Sequence, residues 1–148
     1  ILFRRPCAFI NYIPLGTMPT WGPQDLCIPK KLWLLEEGRW LRFREVFQRG
    51  LGGVETNFGY GVGYDTEGLE VVENTPEEIA AVAVEMDERL RGVWQATEED
   101  EELQQRFWSI FEPCKINEVF NMYYTADGLN HRSRIGSEFL RQNRELLE

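Results

Sequence analysis

Residues 68–94, GLEVVENTPEEIAAVAVEMDERLRGVW, restrict the fold more tightly than any other stretch of the chain. Leu69, Val71 and Val72 supply a short strand, and Glu73-Asn74 breaks it. Thr75 is a natural N-cap and Pro76 suits the first helical position. Glu78, three residues past the cap, closes a capping box. Ile79, Val82, Ala83, Met86, Leu90 and Val93 then recur at helical spacing, with Glu77, Glu85, Asp87, Glu88, Arg89 and Arg91 mostly on the opposite side. The pattern predicts a strand, a tight turn and an amphipathic helix packed on a sheet. It names no chemistry.

A chain of 148 residues, 43% apolar and 13% aromatic, is long enough for one domain with a sizeable core. Its charge balance, 16 basic against 25 acidic side chains, argues against a sequence-independent nucleic-acid binder, which needs a phosphate-neutralising surface. The distribution is uneven: residues 1–49 are basic on balance, with the acidic excess downstream. A basic part of that kind suits an anionic small molecule. Cys7, Cys27 and Cys114 form no C-x-x-C pair and His131 stands alone, so neither a disulfide scaffold nor a zinc site is expected. The cysteines read as small buried hydrophobes in a reducing, cytoplasmic setting. No run of 18 apolar residues is present to form a transmembrane segment. The chain opens on Ile1-Leu2-Phe3 without a methionine and runs straight into a strand, which predicts a fragment of a longer protein.

Along the chain, residues 6–15 (PCAFINYIPL) form an apolar run of the kind that makes a buried strand, ended by Pro14. Residues 16–24 are a loop rich in Gly and Pro, and residues 26–35 suggest a short helix beginning near Pro29. Leu41-Arg42-Phe43 reads as extended, followed by one or two helical turns over residues 44–48. Residues 50–68 hold seven glycines and suggest a hairpin or lid. A phosphate-cradling loop should follow a strand and open a helix, whereas this stretch runs into the strand at Leu69. The acids at residues 98–102 follow Thr97, which fits a helix N-terminus better than a metal site. Leu103, Phe107, Ile110 and Phe111 continue that helix toward Pro113. Residues 115–130 are ambiguous. Ser133 is expected to cap a last helix with Ile135, Phe139, Leu140, Asn143, Leu146 and Leu147 inside.

Several of these segments taken together carry a resemblance. Residues 11–16 (NYIPLG), 28–31 (IPKK), 41–45 (LRFRE), 73–79 (ENTPEEI) with Glu85-Met86, Arg134-Ile135-Gly136 and Phe139-Leu140-Arg141 occur in this order. The set is similar to the C-terminal part of a family of bacterial glycosyltransferases associated with surface-polysaccharide building. It covers most of the chain from Pro6 on. The resemblance implies an α/β fold: a partial Rossmann-like domain, with a small, mostly parallel sheet flanked by helices and a helical C-terminal part. It also implies a contribution to nucleotide-sugar donor binding, without the half that supplies the acceptor site. An isolated piece of this kind is expected to be inactive and to form a homo-oligomer through exposed apolar surface. No cofactor or metal is implied, and no Asp-x-Asp metal motif is present.

Glycosyl transfer from such a donor needs groups that neutralise a diphosphate, groups that hold the ribose and a base for the acceptor hydroxyl. In a doubly wound sheet the ligand lies outside the carboxyl ends of the strands, here the loop after Ile13 and the turn after Val72. The candidate donor-binding residues are therefore Asn11, Tyr12, Gly16, Thr17, Lys30, Lys31 and Thr75, with Lys30 or Lys31 meeting phosphate. Each also has a plainer reading: Asn11 as a turn residue, the lysines as solvated surface, Thr75 as a cap. The rival at the level of function is a non-catalytic α/β interaction or oligomerisation domain, suggested by five Trp, nine Phe and five Tyr in one short chain.

Overall fold

The computed structural model describes residues 5–17, 22–52, 64, 67–110 and 133–148. The expectations for Phe111, Cys114, residues 115–130, His131 and most of the glycine-rich stretch lie outside the described residues.

Two small sheets share one continuous extended segment. Strand β2 (Leu26–Pro29) lies between β1 (Ala8–Tyr12) and β6 (Arg134–Ile135), parallel to both. All four residues of β2 are buried, as a central parallel strand covered on both faces requires. One residue later, β3 (Lys31–Leu34) begins and joins a different sheet. It is antiparallel to β4 (Arg39–Trp40) and β5 (Leu69–Val72), in the order β4-β3-β5.

This corrects two expectations. Residues 26–34 are two strands, not a helix starting at Pro29. Both are fixed by ladder pairing, β2 with β1 and β6 and β3 with β4 and β5, and every residue of the two strands except Trp33 is buried, as in strands covered on both faces. The strand before the central helix is not part of the parallel sheet. β5 runs antiparallel to β3, so the rule for doubly wound sheets does not apply to its end.

The helices close over both sheets. Helix α1 (Phe43–Gln48) is held at its start by Glu45, which accepts from the Arg42 backbone N–H at 2.9 Å. Helix α2 (Pro76–Leu90) has the predicted N-terminus: Thr75 Oγ1 accepts from Glu78 N–H at 3.2 Å, and Glu78 accepts from Thr75 N–H at 2.9 Å. Its inner face differs from expectation. Glu78, Val82, Glu85 and Met86 are buried, while Leu90 and Val93 are exposed. Glu85 belongs inside because it accepts from both the backbone N–H and the hydroxyl of Ser137, at 2.7 and 3.0 Å, and from Arg89. Helix α3 (Glu98–Ser109) starts on a second capping box between Thr97 and Asp100. Asp100 also pairs with Arg141, which assigns the first acids of this run to capping and docking.

At the C-terminus, β6 leads through Gly136 into α4 (Ser137–Gln142) and a 3-10 turn (Arg144–Leu147). Gly136, not Ser133, is the N-cap, and Ile135 lies in the strand. A β-carbon on Gly136 would stand 2.7 Å from a Val82 methyl and 3.0 Å from an Ile28 methyl, so glycine lets α2 approach the sheet here. The side chain of Gln104 pairs with Ile135 as another strand would, donating to its carbonyl at 2.6 Å and accepting from its N–H at 3.1 Å. That pairing covers part of the β6 edge. Leu26, Ile28, Phe107, Ile135, Phe139, Leu140 and Leu146 form the centre of the core. No helix among the described residues is long and apolar enough to cross a membrane.

Candidate ligand site at the carboxyl edge of the parallel sheet

The site is built where β1 ends. Asn11 sits at φ 54°, in the left-handed region that asparagine enters more readily than most residues. This conformation lets two asparagines exchange hydrogen bonds. Asn11 N–H donates to Asn74 Oδ1 at 2.7 Å, and Asn74 N–H donates to Asn11 Oδ1 at 2.6 Å. The Asn74 amide nitrogen donates a third bond, to the Pro29 carbonyl at 2.9 Å. The ends of β1, β2 and β5 are thereby tied together, although β5 belongs to the other sheet. Asn74 was legible in the sequence only as a strand break, and its partner 63 residues away carries no local signal.

Beyond Asn11, the chain turns through Tyr12, Ile13 and a cis Pro14 into a 3-10 turn, Leu15–Thr17. Gly16 is buried there and its N–H donates to the Gly52 carbonyl at 2.9 Å. Tyr12, Ile13, Leu15, Leu41, Phe43 and Tyr64 line a mostly apolar recess of about 310 Å³ counting the solvent at its mouth, with Lys30 on its wall. Inside, it has room for about one water molecule. A nucleotide-sized ligand would not fit inside it. Burial pushes the Tyr64 phenol up to about 12, and its hydroxyl donates to the Leu51 carbonyl at 3.1 Å. It stays protonated near neutrality and supplies no base.

Strand alternation sends the two candidate lysines in opposite directions. Lys30 Nζ lies 3.1 Å from Glu73 Oε1, with the Glu73 side chain 70% exposed. Lys31 turns inward, 2.8 Å from Glu78 Oε1 and 3.4 Å from Asn143 Oδ1, and lies 5.2 Å from the centre of the Trp40 ring. Asn143 donates back to Glu78 Oε1 at 3.0 Å and to the Phe139 carbonyl at 2.8 Å. Burial alone would raise the Glu78 carboxyl. The donors Lys31, Thr75 N–H and Asn143 outweigh it and hold the group below the usual carboxylate range.

Asn11, Tyr12, Lys30 and the turn carrying Thr75 are thus gathered at one edge. Gly16 points its backbone to Gly52, and Thr17 closes the 3-10 turn. The charge of Lys31 is matched inside by Glu78. At the start of α2 the hydroxyl of Thr75 and the Glu78 N–H satisfy each other, which leaves that helix end already capped by its own carboxylate. Among the described residues, no cluster of three or more His, Cys, Asp or Glu side chains has metal-binding geometry. Glu73, Asn74, Glu78 and Asn143 are the members that sequence reasoning missed. One signal was available: Glu78, Val82, Glu85 and Met86 share a stripe at i, i+4, i+7 and i+8.

Comparison with known proteins finds no matching family model, no matching curated protein and no matching solved structure.

Proposed function

We propose that this chain contributes to the nucleotide-sugar donor site of a bacterial, cytoplasmic glycosyltransferase of Rossmann-like type, and is inactive by itself. The observation that carries this reading is the Asn11–Asn74 exchange. It brings the end of a parallel strand, a wall-lining cation at Lys30 and a strand-to-helix turn to one edge. Parallel sheets commonly bind ligands at that edge, and Lys30 provides charge for a phosphate. Tyr12 and the apolar wall beside it offer a surface for a base or sugar ring. The ordered set of segments described for the sequence supports the same family.

The experiment is a thermal-shift screen of the chain against UDP, GDP, ADP, dTDP and CMP. A ligand at about one hundred times its Kd adds about 2.7 kcal/mol, enough to move the midpoint by several degrees in a domain of this size. A selective shift for one nucleotide, lost in Lys30→Ala, is the expected result. Equal shifts with all five, or none, would sink the donor-site reading.

A second reading has its own support. Ile10, Leu35, Val84, Leu90 and Val93 are exposed apolar side chains, as in a domain that associates with another surface or with a second copy. That reading predicts concentration-dependent association in sedimentation, with no response to nucleotides.

A further inference from the structure

We propose that Glu73 is an internal competitor for the anion that Lys30 binds, so that the site favours ligands bearing a diphosphate over singly charged anions. The inference rests on the donor-site reading and concerns how that site chooses its ligand.

Lys30 is the charged residue on the wall of the recess, and in the free protein its ammonium is already engaged by Glu73 at 3.1 Å. The two ends of this pair are held very differently. The backbone beside Glu73 is fixed, because Asn74 is pinned through its backbone N–H and through both the Oδ1 and the Nδ2 of its side chain. The Glu73 side chain is 70% exposed, and Lys30 is its hydrogen-bond partner among the described residues. The carboxylate can therefore swing into water at the modest cost of an exposed ion pair, while its anchor stays at the site. Lys31 offers no such exchange, since its partner Glu78 is buried and accepts three further hydrogen bonds from the fold.

A tethered carboxylate sets a threshold. A ligand with one negative charge gains from Lys30 about what Glu73 already provides, and it must also bear the repulsion of the displaced acid. A diphosphate brings more charge and several acceptor oxygens, and charge-assisted hydrogen bonds from an ammonium to such oxygens are among the stronger ones. Removing the competitor should therefore raise affinity and relax the choice of anion.

The test is calorimetric titration of the chain and of Glu73→Gln, Lys30→Ala and the double variant. The probes are UDP, GDP, ADP and dTDP, with the matching nucleosides and inorganic pyrophosphate as controls. Glu73→Gln should bind its preferred nucleoside diphosphate about two- to fivefold more tightly, in line with the strength of exposed ion pairs. Nucleoside affinity should not change. The gain should shrink when Lys30 is already alanine, because the acid then has no cation to withhold. Pyrophosphate should follow the nucleotides if the phosphates carry the effect. If wild type binds a nucleoside diphosphate and Glu73→Gln binds it equally or more weakly, the competitor role is overturned and the donor-site reading stands. If neither protein binds any of the probes, both fall.

Discussion

Lys30 and Lys31 are consecutive residues on one extended segment, and their surroundings are opposite. Lys30 lies at the mouth of a recess with an exposed acid as partner. Lys31 is enclosed, its side chain 9% exposed and that of Glu78 3% exposed, with Asn143 and Trp40 completing the cage. The fold uses the same chemical group once to close the interior and once to line the mouth of a recess. The difference arises from strand alternation at the junction between two sheets. It follows that charge count near a sheet edge is a poor guide to binding capacity unless the direction of each side chain is known.

The largest way to break the comparison is to remove one member of the enclosed pair. Glu78→Ala leaves Lys31 buried without its counter-charge, and Lys31→Ala does the same to Glu78. Each should cost about 3–5 kcal/mol in urea unfolding. Lys31→Met combined with Glu78→Leu should recover part of that loss, because both charges leave together while the Thr75 N–H and the Asn143 amide lose their acceptor. Recovery by the double variant would show that pairing, rather than charge itself, holds this part of the fold. Somewhat smaller is the effect of Asn74→Ala, which strands the Asn11 N–H and the Pro29 carbonyl. Leaving such groups unpaired should cost about 1–3 kcal/mol. It should also weaken any nucleotide binding, since the residue links the enclosed region to the open one.

Much of the local structure was legible in the sequence, because its causes are local. The strand at Leu69–Val72, the cap at Thr75 with Glu78, the second cap at Thr97 and the inward set Phe139, Leu140, Asn143, Leu146 and Leu147 follow from spacing and capping chemistry. Residues 26–34 were misread because Pro29 and the lysine pair suggested a helix start, and short segments buried on both faces carry no period that tells strand from helix. The buried carboxylates were missed for a different reason. Glu78 and Glu85 look like solvated positions until partners 65 and 52 residues away arrive to satisfy them. The candidate site shows the same limit. Asn11 and Lys30 could be picked out from the sequence, but Asn74 and Glu73 acquire meaning only from pairings across the fold.

Acid provides a graded way to sharpen the contrast. Glu78 is held below its ordinary range by the enclosed network, and the Glu45 carboxyl is drawn down from 4.5 to about 2 by Arg39, against the cost of burial. Asp100 is lowered as well, its own burial overcome by Thr97 and Arg141. Depressed carboxylates contribute stability that is complete above their unfolded pKa and lost as pH falls through the folded one. Thermal midpoints should therefore be flat from pH 7 to about pH 5 and fall between about pH 4.5 and pH 2. A Glu78→Gln variant should start less stable and lose less over that interval. An equal loss in both proteins would remove Glu78 from the account.

The smallest effect on stability belongs to the open pair, and its smallness is the informative part. Exposed ion pairs contribute about 0.2–1 kcal/mol, so Lys30→Ala and Glu73→Gln should each shift urea unfolding by less than about 1 kcal/mol. Both variants should keep the wild-type dependence of stability on denaturant, because each alters one side chain at the recess mouth and leaves the buried apolar set in place. A loss of about 2 kcal/mol or more in Lys30→Ala, well beyond that range for an exposed pair, would place it in the same structural class as Lys31 and erase the distinction. A negligible loss leaves Lys30 as a cation the fold does not require, retained on the wall of a recess beside an acid that is free to move away. That combination is what a ligand-facing residue needs and a structural one does not.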